Sequence, residues 1–317
     1  MGYETFFLFF GPGIMSLLLP AFCLSSSISY KTIQKNKKEL RTKNYKKRLD
    51  AAFQTAPTLP ILPTSKFVFM SDCHRGVGNS NDNFLKNQNI FFAALNYYYK
   101  MGYTYIEIGD GDELWENSDI THIKENYSNI YWLLSLFAQK KSLYLLFGNH
   151  DLEKKFCDSS DFSFFEGILL EDSTSHKVLH LTHGHQAEPL NSTIWRLARF
   201  LVRFLWKPLE QFGVLNPTSA AKNHSVKEKT ERRLEEWAKE HHTTIISGHT
   251  HRPVLDIKSP HYCNTGSCVH PRCITSIELQ NSSLVLVKWA VETREDLSLV
   301  VKRTVLSGPI KLKDLNT

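Results

Sequence analysis

The sequence has six cysteines in 317 residues, and no two of them show the C-x-x-C spacing of a zinc knuckle. They are Cys23, Cys73, Cys157, Cys263, Cys268 and Cys273. A chain of this length can bury a large core without disulfide bonds to hold it together. We therefore expect free thiols and a reducing compartment, and we interpret the regular five-residue spacing of the last three as coincidence.

Outside one segment the sequence has no excess of positive charge. The net charge is +6, and residues 31–48 hold nine Lys or Arg and one Glu, a local charge of +8. The rest of the chain therefore carries −2, the difference between these values. A nucleic-acid-binding domain concentrates basic residues on its binding face, so we expect no nucleic-acid partner.

Residues 5–30 contain no charged side chain. About 20 apolar residues can span a bilayer, but a Gly-Pro-Gly sequence and a further proline weaken the helix. A secretory signal peptide would begin with basic residues, which are absent here. The basic segment that follows favours the cytoplasmic side and attracts anionic lipid headgroups. We hypothesise a cytoplasmic protein anchored to the inner face of the cell membrane through residues 1–48; the alternative is a poorly ordered leader.

Five short runs rich in β-branched and aromatic residues each end in a polar tip, which is typical of strands. The tips are Ser71–Gly76 after KFVFM, Gly109–Glu113 after YTYIEI, Gly148–Asp151 after SLYLLF, His183–His185 after KVLHLT and Gly248–His251 after TTIIS. Helix-compatible stretches separate the first three, which predicts an α/β sheet. The carboxyl ends of strands in such sheets form the ligand crevice.

The five tips carry Asp, Asn, His and Gly. Each tip alone would be an ordinary turn, but turns explain the recurrence of metal-binding residue types poorly. Oxygen and nitrogen ligands without thiolate suit Mn, Fe, Zn or Ni. Seven such ligands exceed the needs of one ion, and a carboxylate that bridges two ions would account for the surplus. Two-metal sites activate water and assist displacement at phosphorus.

The series D-x-H, GD, GNHD, HGH and GHTH resembles the calcineurin-like metallophosphoesterase family over residues 66 to about 270. The resemblance implies a four-layer α/β/β/α sandwich and two divalent metal ions, with manganese favoured over Fe, Zn, Ni or Mg. It implies metal ligands by position: Asp72, His74 and His251 for one ion, Asn149, His183 and His249 for the other, and Asp110 as the bridge.

The resemblance also implies roles beyond metal binding. His150 would stabilise the phosphoryl oxygens or assist the leaving group, and Asp151 would orient it. Arg75 is a candidate substrate-binding residue, because a guanidinium group matches phosphate geometry. Cys73 lies between two predicted ligands, and we interpret it as structural because alternate side chains of an extended segment point apart.

The spacing of Asp110, Glu113 and Trp115 in GDGDELWE, together with GHTHRP, resembles the UDP-diacylglucosamine pyrophosphatases of lipid A synthesis. Two positions depart from that subgroup, which usually has Arg in place of His150 and Asp in place of His185. Both positions face the substrate in the subgroup, so the substrate itself does not carry over.

The domain prediction follows from these segments. It comprises an apolar segment at 1–30, a basic and Pro-rich linker at 31–63, a metallophosphoesterase domain at 64–290 with a helical insert at 187–242, and a C-terminal tail at 291–317. The insert holds an amphipathic stretch rich in aromatic residues and arginine, followed by a charged helix. It either covers the sheet as a packing pair or forms a lid that holds a lipid or a nucleotide diphosphate.

These features predict an enzyme that hydrolyses a phosphate ester or pyrophosphate bond with metal-activated water. The expected substrate is a phosphorylated small molecule or lipid. The alternatives are a lipid pyrophosphatase of the UDP-diacylglucosamine type at the membrane, or a protein or nucleotide phosphatase. A non-catalytic scaffold is disfavoured because the ligand set is complete.

Overall fold

The computed structural model describes residues 44–117, 119–156, 162–188, 200 and 224–315. The chain divides into two compact units, residues 1–47 and 48–317. Only residues 44–47 of the first unit are described, and they are helical. The predicted membrane anchor at 1–30 lies outside the described residues. None of the described helices has the length and apolarity needed to cross a bilayer.

Two β-sheets form the centre of the second unit. The larger has seven strands in the order β12-β11-β10-β2-β3-β4-β5, and the smaller has five in the order β1-β6-β7-β8-β9. In chain order the strands are β1 Thr58–Ile61, β2 Lys66–Met70, β3 Thr104–Ile108, β4 Leu143–Leu146, β5 Phe164–Phe165, β6 Ile168–Asp172, β7 Val178–Leu181, β8 Thr244–Ser247, β9 Tyr262–Asn264, β10 Cys273–Gln280, β11 Ser283–Thr293 and β12 Leu299–Lys311. The five predicted strands are β2, β3, β4, β7 and β8.

Helices cover the outer faces of both sheets. They are α1 (residues 48–54), α2 Gln88–Lys100, α3 Ile120–Asn126, α4 Ser128–Gln139 and α5 His224–Glu240. In α4 the buried residues are Ile130, Leu133, Leu134 and Phe137, the spacing of one helical face. On the other side, Trp237 of α5 packs against Phe53 of α1 and His180 of β7.

The alternation of side chains along β2 separates two hydrophobic cores. Phe67 and Phe69 lie in the core between the two sheets, whereas Val68 and Met70 lie in the core beneath α2 and α4. Each core buries apolar residues from several elements, which supplies the main favourable free energy of folding. The predicted four-layer α/β/β/α sandwich is confirmed.

Strands β2, β3, β4 and β5 run parallel, as do β7, β8 and β9. The carboxyl ends of β2, β3 and β4 therefore meet at one edge of the larger sheet. The carboxyl ends of β7 and β8 meet at one edge of the smaller sheet. The loops that follow these five ends carry all of the predicted metal ligands.

Part of the predicted linker and part of the predicted tail are regular structure. Within 31–63, residues 48–54 are helical and β1 pairs with β6. Pro60 is compatible with β1 because this strand lies at the edge of its sheet, where a missing N–H costs no ladder bond. Within 291–317, β12 pairs with β11. The second helix of the predicted insert is α5, and the amphipathic stretch before it falls mostly outside the described residues.

All four cysteines in the described part of the chain are free thiols, as expected: Cys73, Cys263, Cys268 and Cys273.

Candidate metal centre

Backbone conformation at the strand ends turns the predicted ligands towards one another. Five of them have positive φ angles between 49° and 67°: Asp72, His74, Asp110, His249 and His251. This left-handed region is uncommon for residues other than glycine, and strained residues of this kind cluster at functional sites. The strain therefore points to a site where side-chain position matters more than local backbone energy.

The ligand atoms form two separate clusters, one of Asp72, His74 and His251 and the other of Asp110, His183 and His249, with the ligand atoms of each within 4.8 Å of one another. A third cluster, of His74, Asp110 and His150, overlaps both of them. Oδ2 of Asp110 lies 3.1 Å from Nε2 of His183 and 3.7 Å from Nε2 of His74. Asp110 thus faces both clusters, as a bridging carboxylate must.

Buried atoms of the residues predicted for the second ion lack the hydrogen bonds that burial normally requires. Oδ1 of Asn149 and Nε2 of His183 have no hydrogen-bond partner within the described part of the chain, and neither has Nε2 of His249, which faces Glu188. An unsatisfied buried polar group costs about 1–3 kcal/mol, and a bound cation would remove that cost. The donor set of carboxylate, amide oxygen and imidazole fits two divalent ions of the Mn or Zn type.

The buried carboxylates make the site strongly favourable for positive charge. Burial by itself would lower the pKa of His74, but the hydrogen bond to Glu113 and the charge of Asp110 raise it to about 10. Burial also acts to lower the pKa of His183, but the charge of Asp110 outweighs this effect and raises that pKa to about 9. The same negative potential would attract a metal cation.

Two of the histidines are held at Nδ1, which leaves Nε2 directed at the carboxylates. Nδ1 of His183 lies 2.8 Å from the carbonyl oxygen of Ile108, to which it donates. Nδ1 of His74 lies 2.8 Å from Oε2 of Glu113. Such second contacts fix the tautomer and ring orientation of metal-binding histidines.

Glycines allow the strand ends to approach one another closely. A Cβ atom at Gly148 would collide with Oδ1 and the backbone nitrogen of Asp110. A Cβ atom at Gly248 would collide with the side chains of Ser71 and Asp72. The glycines of the GNHD and GHTH motifs therefore serve the packing of the site.

The structure brings His150 to the site but gives it a different partner from the one expected. Nδ1 of His150 lies 2.7 Å from Oε1 of Glu113, and its ring stacks on Trp115 with centroids 4.2 Å apart. The carboxylate of Asp151 instead accepts from the backbone nitrogens of Gly148 and Gly111 at 2.6 and 3.2 Å. The carboxylate of Asp151 thus links two loops, and Glu113 makes the contact with His150 that was expected of Asp151.

Arg75 is also placed differently from the prediction. It is 1% exposed, and its guanidinium donates to both carboxylate oxygens of Glu107 at 2.8 Å and to Asp112 at 2.7 Å. A second buried cation, Lys154, pairs with Asp112 at 2.6 Å. Arg75 is thus engaged in a buried ion network and has no surface for a substrate.

Sequence reasoning did not assign Glu113 to the site. Its carboxylate binds His74 through one oxygen and His150 through the other. The available signal was its position three residues after Asp110, which the subgroup resemblance noted without giving it a role. Cys73, by contrast, is fully buried beside Glu107, with its sulfur 3.8 Å from Oε2.

The family described as calcineurin-like phosphoesterase matches residues 65–253. Two similar solved structures are vacuolar protein sorting 29 from Cryptosporidium parvum and Vps29 from Chaetomium thermophilum. The first is 13% identical with a TM-score of 0.37, and covers 77% of this chain and 99% of its own. The second is 11% identical with a TM-score of 0.37, and covers 78% of this chain and 99% of its own. Likeness at this level carries no information about activity. No curated protein gives a significant match.

Proposed function

The chain belongs to the calcineurin-like phosphoesterase family, and from this premise we propose that it is a hydrolase that cleaves a phosphate ester or pyrophosphate bond with two divalent metal ions. One observation carries the proposal. Asp110 lies between two clusters of ligand atoms, each compact enough to hold an ion.

Each of the two ions would have its own set of ligands. Asp72, His74 and His251 would hold the first ion; Asn149, His183 and His249 would hold the second; and Asp110 would be shared. Two such ions would supply Lewis acidity for the activation of water and for neutralising negative charge on the phosphoryl oxygens. The donor types favour manganese, with Fe, Zn, Ni and Mg as alternatives.

His150 would act on the substrate and not on the ions. Its side chain is 21% exposed, so a substrate can reach it. Glu113 accepts from Nδ1 and Trp115 fixes the ring plane, so that in the imidazolium form Nε2 would donate to a phosphoryl or leaving-group oxygen. A positioned donor of this kind contributes about 10²- to 10⁴-fold to the rate.

The substrate class remains a phosphorylated small molecule or lipid. The subgroup resemblance favours a pyrophosphate bond in a lipid-linked nucleotide, while His150 in place of the usual Arg argues for a different phosphate partner. A protein or nucleotide phosphomonoester is the second candidate.

Activity of the purified full chain with each of the five metals tests the function. The panel contains a phosphomonoester, a phosphodiester and a pyrophosphate, and Asp110→Asn is the inactive control. We expect hydrolysis of at least one class that Asp110→Asn abolishes. If no class is hydrolysed with any metal, the chain is a non-catalytic scaffold.

Association with membranes is a separate proposal that rests on the apolar segment and the basic segment. Each Lys or Arg near an anionic surface contributes about 1 kcal/mol. Flotation of the full chain with anionic vesicles tests it, with neutral vesicles and a variant in which Lys35, Lys37 and Lys38 are all Gln as controls. Equal flotation under all three conditions would contradict the basic contribution, and absence of flotation would contradict anchoring altogether.

A further inference from the structure

We propose that Glu188 is a positioning residue for the second metal ion, and that helix α5 holds Glu188 in place. Glu188 would orient the ring of His249 from behind, while neighbouring residues of α5 hold the loop that carries His251. The inference rests on the two-ion site of the proposed function and names the residues that set the geometry of its histidine pair.

The contact between Glu188 and His249 is direct and buried. Oε1 of Glu188 lies 3.2 Å from Nε2 of His249, and the two residues are 6% and 4% exposed. Nε2 makes no hydrogen bond of good geometry within the described part of the chain, but its distance from Oε1 is within hydrogen-bonding range. Glu188 belongs to none of the ligand clusters found in the described residues, so its carboxylate lies outside the ligand set.

The other histidines of the site show the same arrangement. His74 and His183 each have one ring nitrogen held by an oxygen outside the ligand set and the other directed at Asp110. If Glu188 accepts a proton of Nε2, His249 takes the tautomer that leaves the lone pair of Nδ1 for the metal. Glu188 would thus do for His249 what the carbonyl of Ile108 does for His183.

Helix α5 holds Glu188 in place through two residues of one helical turn. Oγ1 of Thr230 donates to Oε1 of Glu188 at 2.5 Å, and Arg233 donates to the carbonyl oxygen of Ala187 at 2.6 Å. Both contacts fix the short segment that brings Glu188 to His249. Helix α5 therefore holds this segment through one contact with a side chain and one with the backbone.

Glu231, which follows Thr230 in α5, holds the loop on either side of His251. It accepts from Oγ1 of Thr250 at 2.9 Å and pairs with the guanidinium of Arg252. Glu231 is 5% exposed and its bond to Thr250 is buried, where such a bond is stronger than at the surface, whereas the side chain of Arg252 is 54% exposed. One turn of α5 consequently supports both metal-binding histidines of the GHTH motif.

This arrangement assigns a function to the second helix of the insert. The sequence left open whether the insert only covers the sheet or acts on the site. Thr230 and Glu231 contact the site through Glu188, Thr250 and Arg252, so α5 acts on the metal centre as well as packing against the sheet.

The test measures metal affinity independently of turnover. Metal-depleted full-length protein is titrated with Mn²⁺, and free ion is followed by its paramagnetic resonance signal. In Glu188→Ala we expect the affinity for one of the two ions to fall about 10- to 100-fold, with the other unchanged. Glu188→Gln retains an acceptor oxygen, and Thr230→Val removes only the supporting hydroxyl, so both should show smaller losses at the same ion.

Glu235→Gln is the matched control. Glu235 lies on the same helix but pairs with Lys239 and Ser259, away from the site, so both affinities should remain as in the parent. If turnover is present, excess Mn²⁺ should restore kcat in Glu188→Ala, which general damage to the fold would not allow.

Unchanged affinity for both ions in Glu188→Ala would overturn the proposal, as would an equal loss at both ions. Should Glu188→Ala not fold, Glu188→Gln and Thr230→Val decide by the same criterion. If the parent protein binds two ions and Glu188→Ala shows the expected loss, but the parent hydrolyses no phosphate compound, the proposed function is refuted and this inference stands. A parent that binds fewer than two ions would refute the shared premise of both.

Discussion

Glu113 binds His150 through Oε1 at 2.7 Å, and its other carboxylate oxygen binds His74 at 2.8 Å. One side chain therefore connects a predicted metal ligand with the predicted proton donor. The rings of His74 and His150 also meet edge to face, with centroids 4.7 Å apart. The orientation of the metal-binding group and that of the substrate-facing group are thus set together.

The first prediction concerns this shared carboxylate. In Glu113→Gln the amide can accept from one histidine but presents an NH₂ group to the other, so one of the two hydrogen bonds is lost. We expect a 10- to 100-fold loss of metal affinity or activity, about the size typical for such supporting residues. Mn²⁺ titration and steady-state kinetics on the same preparation measure both, and normal values of both would contradict a positioning role.

The second prediction separates His150 from the metal ligands. His150→Ala should retain both ions and slow hydrolysis about 10²- to 10⁴-fold, the contribution of a positioned proton donor. The loss should be smaller for a nitroaryl ester than for an alkyl ester, since an activated aryl oxide leaves without a proton. An equal loss on both esters would restrict His150 to stabilising the phosphoryl oxygens, and loss of metal would make it a ligand.

The third prediction concerns the bridge and the amide ligand. Asp110→Ala or Asn149→Ala should abolish turnover and reduce bound metal below two ions per chain, because each change removes a ligand from the buried clusters. Metal content after gel filtration, measured together with activity, provides the check. Full metal content with an unchanged rate would exclude a two-ion site.

The fourth prediction follows from the buried ion network around Arg75. Arg75→Met leaves the carboxylate of Glu107 without its cation and leaves Asp112 with Lys154 alone, and breaking a buried pair in this way costs about 3–5 kcal/mol. Urea unfolding should show that loss. Where folded protein remains, KM should stay close to the parent value, whereas a large rise in KM with normal stability would return Arg75 to the substrate site.

The fifth prediction concerns stability against pH at a position away from the metals. Burial lowers the pKa of His180 from 6.5 to about 4, and the charge of His241 adds to the effect. As the pH falls below 6.5, the unfolded chain takes up a proton that the folded protein excludes, so the free energy of unfolding decreases. The loss develops between pH 6.5 and 4, does not grow further below that range, and amounts to about 2 kcal/mol after allowance for partial exposure.

His180→Gln should remove this part of the pH dependence, and the exposed His242→Gln serves as the control that retains it. Urea unfolding at pH 7, 5.5 and 4 on all three proteins gives the comparison. An identical slope in His180→Gln and the parent would show that His180 does not cause the loss.

The elements that carry the candidate site follow from local signals in the sequence. Strands β2, β3 and β4 and helices α2 and α4 could be predicted because their signals are local. Alternation of side chains along β2 and the i, i+3, i+4 spacing in α4 are properties of neighbouring residues. The polar tips were equally local, since each follows directly on its strand. The order of the tips along the chain identified the family.

Tertiary structure alone decided which partner each charged side chain takes. Arg75 finds Glu107 and Asp112 on the neighbouring strand β3 and the loop after it, and so is removed from the surface where a substrate would bind. No local pattern distinguishes a buried arginine from an exposed one, because burial depends on what the rest of the chain places around it. Regular structure at β1 escaped prediction for a similar reason, since this strand pairs with β6, which is distant in sequence. Strand β12 pairs with β11, which directly precedes it in the chain.

The same limit applies to the residues that support the histidines. His150 could pair with Asp151, its neighbour in sequence, or with Glu113, and only the fold shows that the carboxylate of Asp151 is already bound to backbone nitrogens. Glu188 lies 61 positions before His249, yet the two are 3.2 Å apart. Motif spacing specifies residue types at strand ends, whereas hydrogen bonds between distant segments depend on how the layers pack, and packing is a property of the whole chain.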